Sequence, residues 1–298
     1  MKCLVTGGAG FIGSHIVSRL LRDNHEVVVI DNESAEANDA FNWYENDVEN
    51  HIEDIRDIEA CRHIFKGVEV VFHLAAHSRI QLAMENPFDC VTTNVVGTCN
   101  MLELAREVGV SRFINSSTSS SYGLNNQPPL IEFMPSDCLN HYSASKVSAE
   151  KFCYMYYRLH MLRTVSLRYF NVYGPRQPLK GPYAPVIGLF QEQKRRGEPM
   201  TIVGDGEQRR DFTHVDDVVE ANICAMNNLI SIESINIGTG TNYSMNQVAD
   251  MIGGDRVYIP ARKGESRETL ADISRAKSML GWEPKITLED QLTNHDQL

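Results

Sequence analysis

No uninterrupted apolar run in this 298-residue chain is long enough to cross a membrane. Positive charge is in short supply. Lys and Arg number 28 against 39 Asp and Glu, a formal net charge of −11, which argues against nucleic acid or an anionic membrane as a partner. The basic clusters are Lys194-Arg195-Arg196, read as a solvated helix end, and Arg209-Arg210. The seven cysteines (Cys3, Cys61, Cys90, Cys99, Cys138, Cys153, Cys224) form no C-x-x-C pair. Cys and His show no zinc spacing, so no metal is expected. An odd, dispersed set suits reduced thiols of a cytoplasmic protein, packed as small apolar groups. Nothing precedes the first apolar strand, so no signal peptide is expected. Internal repeats and low-complexity segments are absent. The length allows one large α/β domain or two modest ones, with a core that needs no disulfides.

What is present begins at the first residues. Lys2-Cys3-Leu4-Val5 reads as a short buried strand, and Thr6-Gly7-Gly8-Ala9-Gly10-Phe11-Ile12-Gly13 as a glycine turn. Ile16, Val17, Leu20 and Leu21 then recur at helical spacing. Strand, glycine turn and helix are the setting of a dinucleotide-binding turn: glycines let backbone approach a pyrophosphate, and the helix N-terminus favours its charge. A second apolar strand, Val27 to Ile30, ends at Asp31, where a carboxylate would bind an adenosine ribose hydroxyl. Residues 32–50 read as a polar loop without Lys or Arg. A 2′-phosphate would meet no cation there and would be repelled by Asp31, so NAD is favoured over NADP.

Ile52 to Asp57 reads as the end of a third strand, and Asp54 suits either an adenine contact or the cap of a helix over 58–66. Val68 to Leu74 has the continuous apolar character of a strand buried on both faces. Ala75 and Ala76 after it are small enough for a flat cofactor to lie close, or for tight helix packing. Pro87 to Val108 is a long helical stretch in which Asn94 needs a partner, backbone or ligand. A strand from Arg112 runs into the hydroxyl series Ser116 to Ser121, at the end of an open sheet where ligands bind.

Tyr142 and Lys146 open the next helix and share its face, being four residues apart. A free phenol has a pKa of about 10, and a nearby ammonium lowers it. Beyond the strand Leu162 to Leu167 the alternation breaks, and Pro175, Pro178, Gly181, Pro182 and Pro185 mark a loop read as a candidate substrate lid. Helices are expected over about 185–196, 215–227, 244–252 and 273–280, with strands at 200–203, 234–237 and 256–259.

Taken together, TGGAGFIG at the start, HLAA at 73–76, TTNVVGT at 92–98, SST at 116–118 and YSASK at 142–146 form one ordered set. LRYFNVYGPR at 167–176, GDGEQRRDFTHVDDVV at 204–219, NIGTG at 236–240 and LADISRAKSMLGW at 270–282 complete it. The set closely resembles the extended short-chain dehydrogenase/reductase family, in particular its nucleotide-sugar epimerases of the UDP-glucose 4-epimerase type. The resemblance implies an α/β fold, a Rossmann-like doubly wound, mostly parallel sheet over residues 1–170. A smaller α/β nucleotide-sugar domain over 171–298 would complete it, with some chain crossing back.

It also implies tightly held NAD and 4-epimerisation of a UDP-hexose through a transient 4-keto sugar. Thr118, Tyr142 and Lys146 are then the catalytic hydroxyl, base and lysine. Gly7, Gly10, Phe11, Ile12, Gly13, Asp31, Asn32, Asp54, Ile55, Leu74, Ala75, Ala76, Asn94 and Ser116 match the cofactor shell, along with Tyr142 and Lys146. Tyr169 and Phe170 match the segment beside the nicotinamide, and Asn171, Arg210 and Arg262 match groups that hold the substrate diphosphate. A homodimer through the helices at 87–108 and 142–160 is expected by the same resemblance.

Departures narrow the reading. Related dehydratases and decarboxylases carry an acid just after the catalytic Thr, whereas Ser119 and Ser120 stand here, and a hydroxyl cannot replace an ionisable carboxyl as an acid. Arg79 replaces the small residue common in relatives near the sugar end, with an internal acid as its expected partner. Thr269 stands where a bulky residue excludes N-acetyl groups in some relatives, so N-acetylhexosamine substrates are admitted as a hypothesis. The chain also ends without the long final helix common in the family.

Overall fold

The computed structural model describes residues 1–35, 48–179, 184–228, 231–261 and 266–293. Strand β1 (Lys2–Thr6) leads through the glycine turn into α1 (Phe11–Arg22) and β2 (Glu26–Asp31). Next come β3 (Glu49–Ile52), α2 (Ile58–Arg62), β4 (Val70–His73) and α3 (Ile80–Glu85). α4 (Pro87–Val91) and α5 (Thr98–Val108) are joined by a π turn over Thr92–Gly97. β5 (Arg112–Thr118) ends in a 3-10 turn at Ser119–Tyr122, and α6 (His141–His160) precedes β6 (Thr164–Tyr169). The remainder is β7 (Val172–Tyr173), α7 (Val186–Arg195), β8 (Met200–Val203), β9 (Arg209–Asp211) and β10 (Thr213–His214). It continues with α8 (Val215–Asn227), β11 (Ile232–Ile237), β12 (Asn242–Ser244), α9 (Met245–Ile252) and β13 (Arg256–Ile259). A π turn at Ala276–Leu280 and α10 (Leu288–Thr293) close the described chain.

Seven strands form one sheet in the order β11-β6-β5-β4-β1-β2-β3, every neighbouring pair parallel. Strands such as Val27–Ile30 and Val70–Phe72 are buried throughout because helices cover both faces. On one face Ile16, Val17 and Leu20 of α1 meet Val218, Val219 and Ala221 of α8 and Trp282. On the other, Met101, Leu102 and Ala105 of α5 and Cys153 of α6 pack on Leu4, Val28, Val71 and Phe113. A third cluster, including Ile187, Phe190, Met200, Ile202 and Val248, joins α7 and α9 to the β8–β13 pair. The strand order reverses between β1 and β4. An open parallel sheet binds ligands at the carboxyl ends of its strands at such a point.

The predicted Pro87–Val108 helix is therefore interrupted, and β7, β9, β10, β12, α3 and α10 were not anticipated. Several of these strands have two or three residues, too few to print a period in the sequence. In the Lys194–Arg196 cluster, Arg195 and Arg196 pair with Glu192, and Lys194 donates to the Ile252 carbonyl, closing the end of α7.

Candidate active site

A cleft of about 410 Å³ opens at the carboxyl ends of β1 and β4, and Gly7, Gly10, Phe11, Ile12 and Gly13 line it. Gly7 has φ of +73°, and a Cβ there would stand 2.7 Å from the Ala75 nitrogen. A Cβ on Gly13 would stand 2.1 Å from the Gly7 carbonyl oxygen. Backbone thus packs directly on backbone, and the N-cap of α1 is Gly10, which puts no side chain over the helix end. Bare N–H groups at a helix start facing a cleft are what a pyrophosphate requires. The residues present fit a dinucleotide.

Asp31 lines the cleft at the end of β2. Its carboxylate accepts from the Ala9 N–H at 3.0 Å and from the Glu33 N–H at 2.8 Å. Asn32, Asp54 and Ile55 continue the wall. Asp54 receives the Arg56 guanidinium, which holds its carboxyl down at about 2, and Asn32 Nδ2 donates to it at 3.1 Å. The cap of α2 is Asp57, whose side chain accepts from the Ala60 N–H, so the capping alternative for Asp54 falls away. Arg56, which the motif reading missed, also lines the cleft, but Asp54 and Asp89 both bind it at 2.6 Å. The signal was its place two residues after Asp54.

Leu74, Ala75, Ala76 and Arg79 form the wall after β4, and Ser116, Ser117, Tyr142, Lys146 and Tyr169 the reactive end. A capping box at Asn140 and Ser143 fixes the start of α6, with Asn140 Oδ1 accepting from the Ser143 N–H at 2.8 Å. Tyr142 and Lys146 then project from one helix face. The Tyr142 hydroxyl shares a hydrogen bond with Thr118, and Tyr142 and Lys146 line the same cleft. Thr118 Oγ1 in turn donates to Ser120 Oγ at 3.1 Å and accepts from the Ser120 N–H. Burial holds the Tyr142 hydroxyl above the ordinary phenol range, partly offset by Thr118, and pulls Lys146 down to about 8. Burial dominates at Tyr142, and the acidifying effect of the lysine expected from the sequence is not seen there.

Three further residues stand behind the wall. Asn94, on the π turn, is 1% exposed and its amide is spent within the chain. It accepts from the His77 N–H at 2.6 Å and donates to the His77 carbonyl at 3.0 Å and Ser145 Oγ at 2.9 Å. Tyr169 borders the cleft, but its hydroxyl bonds Ser116 Oγ at 2.9 Å and Asn222, and burial pushes it up to about 12. Phe170 is fully buried against Tyr122.

Asn171 and Arg210 lie on the C-terminal side. Asn171, at φ +29°, donates to the Asp211 carbonyl, and Arg210 on β9 donates to the Arg209 carbonyl. Arg262 lies outside the described residues. Of the loop read as a lid, Pro178 and Pro185 line the cleft, and residues 180–183 lie outside the described set. Among the described residues no cluster of His, Cys, Asp and Glu suits a metal, and no helix is long and apolar enough to cross a membrane.

The profile of the family described as GDP-mannose 4,6 dehydratase matches residues 4–294. A putative UDP-glucose 4-epimerase of Methanocaldococcus jannaschii is 39% identical over 295 residues, 96% of this chain and 94% of the relative. The crystal structure of Thermotoga maritima UDP-glucose 4-epimerase with UDP-glucose is 39% identical, with TM-score 0.92, covering 98% of this chain and 96% of that one. UDP-glucuronic acid 4-epimerase of Bacillus cereus, in complex with UDP-glucuronic acid and NAD, is 32% identical, with TM-score 0.87 and coverage of 98% and 96%.

Proposed function

The chain belongs to the GDP-mannose 4,6 dehydratase-like family of extended short-chain dehydrogenases/reductases, and from that membership we propose that it is an NAD-dependent UDP-hexose 4-epimerase. The observation that supports the reading is a cleft lined at one end by Tyr142, hydrogen-bonded to Thr118, and by Lys146, and at the other by a bare glycine turn. Gly7, Gly10, Phe11, Ile12 and Gly13 hold the cofactor pyrophosphate, and Asp31 and Asn32 its adenosine ribose. When bound, NAD supplies the acceptor for the C4 hydride and returns it to the other face of the 4-keto sugar. Tyr142 takes the proton of the sugar O4 and gives it back. Thr118, turning its hydroxyl from Ser120, donates to O4 and sets its distance from the phenol. Lys146, as an ammonium, stabilises the phenolate that burial alone disfavours.

A dehydratase reading has the family's printed description in its favour. Against it stand Ser119 and Ser120, half-buried hydroxyls where an acid would be needed, with Ser120 already bonded to Thr118. The homodimer belongs to the proposal. Phe88 of α4 and Leu159 of α6 are 81% and 67% exposed, and Val91 and Met155 are exposed on the same helices, an apolar surface suited to a second copy. A cytoplasmic location is supported by the seven free thiols. The division into a cofactor-binding part (1–170) and a nucleotide-sugar part (171–298, with Asn171, Arg210 and Arg262 on the diphosphate) also belongs to it. So does admission of N-acetyl sugars past Thr269, which is tested by comparing turnover of UDP-N-acetylglucosamine and UDP-glucose; no turnover of the former removes it.

The deciding experiment incubates the protein with UDP-, dTDP- and GDP-sugars without added cofactor and identifies products by NMR. Interconversion of UDP-glucose and UDP-galactose is expected. Tyr142→Phe should lower it about 10²- to 10⁴-fold. A dehydrated or decarboxylated product would replace the reading with another reaction of the family, full activity of Tyr142→Phe would remove Tyr142 as the base, and NAD binding with no turnover of any sugar would leave a non-catalytic NAD-binding protein.

A further inference from the structure

Beneath α6 the sheet carries a row of polar side chains that the chemistry above does not use. Ser117, Arg168 and Asn236 are register partners across β5, β6 and β11. Glu150 of α6 closes the row from above and is 0% exposed. It accepts from Ser117 Oγ at 2.5 Å, Arg168 Nε at 2.8 Å and Arg168 Nη2 at 2.7 Å. Arg168 Nη1 donates to the Tyr122 hydroxyl at 3.0 Å, and that hydroxyl donates to Asn236 Oδ1 at 2.6 Å. Burying such an ion pair is costly, and apolar packing of the same volume often does as well, so stability is a weak reason for it.

Its position supplies a stronger one. Ser117 immediately precedes Thr118. Glu150 lies one helical turn beyond Lys146 and two beyond Tyr142, on the same side of α6. We propose that Glu150 is a positioning residue: it locks the strand end bearing Thr118 to the helix face bearing Tyr142 and Lys146, and it balances the Arg168 charge beneath them. The proposal rests on the acid–base assignment of Tyr142 and Lys146 made above.

The groups facing Lys146 are His73 from β4, Cys90 from α4, and Glu150 and Cys153 from α6, with Tyr142 one helical turn before it. Glu150 is faced in addition by Arg168 from β6, Tyr122 from the 3-10 turn and Cys138 from the loop before α6. Burial keeps His73 neutral and both Cys90 and Cys153 as thiols. Glu150 and Arg168 are thus the charged pair of this set, and the Glu150 charge favours the Lys146 ammonium against burial.

The test is the pH–rate profile of epimerisation in Glu150→Gln, which keeps shape and loses charge. The uncompensated Arg168 then favours the phenolate and disfavours the ammonium. Both limbs should move to lower pH, by about half a unit to one unit, with kcat down about 10-fold and KM within about twofold. Glu150→Gln/Arg168→Met removes both charges and should return the limbs to their wild-type positions while kcat stays low. Ser117→Ala should lower kcat without moving either limb. Limbs unmoved in Glu150→Gln, or still displaced in the double variant, would overturn the proposal. If Glu150→Gln does not fold, the double variant and Ser117→Ala decide: wild-type kcat in both overturns it. A near-ultraviolet titration of the Tyr142 phenolate, taken as the difference from Tyr142→Phe, follows the same shift without turnover. A shifted phenolate in a protein that epimerises nothing would sink the functional reading and leave this one standing.

Discussion

The carboxylate of Asp31 accepts a hydrogen bond from the Ala9 N–H at 3.0 Å, tying the end of β2 to the middle of the glycine turn. One side chain therefore shapes the glycine turn, and in the proposed function it also holds the ribose. Asp31→Asn keeps the shape but offers one oxygen where the carboxylate uses two, one to Ala9 and one to Glu33. NAD affinity should fall about 10- to 100-fold, the worth of about one or two charge-assisted hydrogen bonds. NADP binding should not appear, because Arg56 stays engaged by Asp54 and Asp89. Calorimetric titration with both dinucleotides measures this, and unchanged NAD affinity would show that Asp31 holds neither turn nor ribose.

Lys146 sets function against stability. It is 5% exposed and burial pulls it down to about 8 from 10.5, so the folded state binds its proton less tightly than the unfolded chain. The cost is therefore full below pH 8 and fades as pH rises toward 10.5. Lys146→Met should gain on the order of 3 kcal/mol at neutral pH. That gain should vanish at high pH, while epimerisation is lost. Urea denaturation of both cofactor-free proteins across pH tests the sign; a less stable variant at pH 7 would contradict it.

Most of the scaffold was legible because its signals are local and repeated. The runs Val27–Ile30 and Val70–Phe72 could only be buried parallel strands, and Gly7 and Gly13 stand where a Cβ would meet backbone at 2.7 and 2.1 Å. The approach of Tyr142 to Thr118 followed from a helix start and a strand end, and the shared helix face of Tyr142 and Lys146 from a helical period. What stayed hidden depends on partners distant in sequence. Asn94 left a choice between a backbone partner and a ligand, and its amide binds the His77 backbone and Ser145. Asp54 suited an adenine contact or a helix cap, and the cap falls to Asp57. Glu150 carried no visible signal at all, since its partners Ser117 and Arg168 lie 33 and 18 residues away.

Asn94 offers a test of that distinction. Its amide joins the loop after β4 to the start of α6, between the wall at Ala76 and the helix that bears Tyr142. Asn94→Ala leaves a partly buried N–H and carbonyl at His77 without their partner, a cost of about 1–2 kcal/mol. If Asn94 acts through position, kcat should fall together with stability while NAD affinity changes less than about threefold, which is under about 1 kcal/mol. Melting temperature, NAD titration and turnover on one preparation separate the roles; a loss confined to NAD affinity would make Asn94 a direct contact.

His73 gives the fold an acid limit. It is 1% exposed at the end of β4, with Nδ1 2.8 Å from Thr6 Oγ1 and Nε2 2.9 Å from Thr98 Oγ1. Burial lowers its pKa to about 3 from 6.5, with the Lys146 charge adding to the effect. A depressed folded-state value means that unfolding takes up a proton, so stability should fall as pH drops below 6.5 and level off near 3. Carboxylates released on unfolding contribute over part of the same range, so the wild-type slope alone does not isolate this group. His73→Gln can bridge both threonines without titrating. Between pH 6.5 and 4.5 its stability should fall less steeply than that of the wild type, by up to one proton in the linkage slope. Parallel slopes over that interval would mean that His73 gains its proton without leaving the native state, and that the β1–β4–α5 junction opens more readily than its burial indicates.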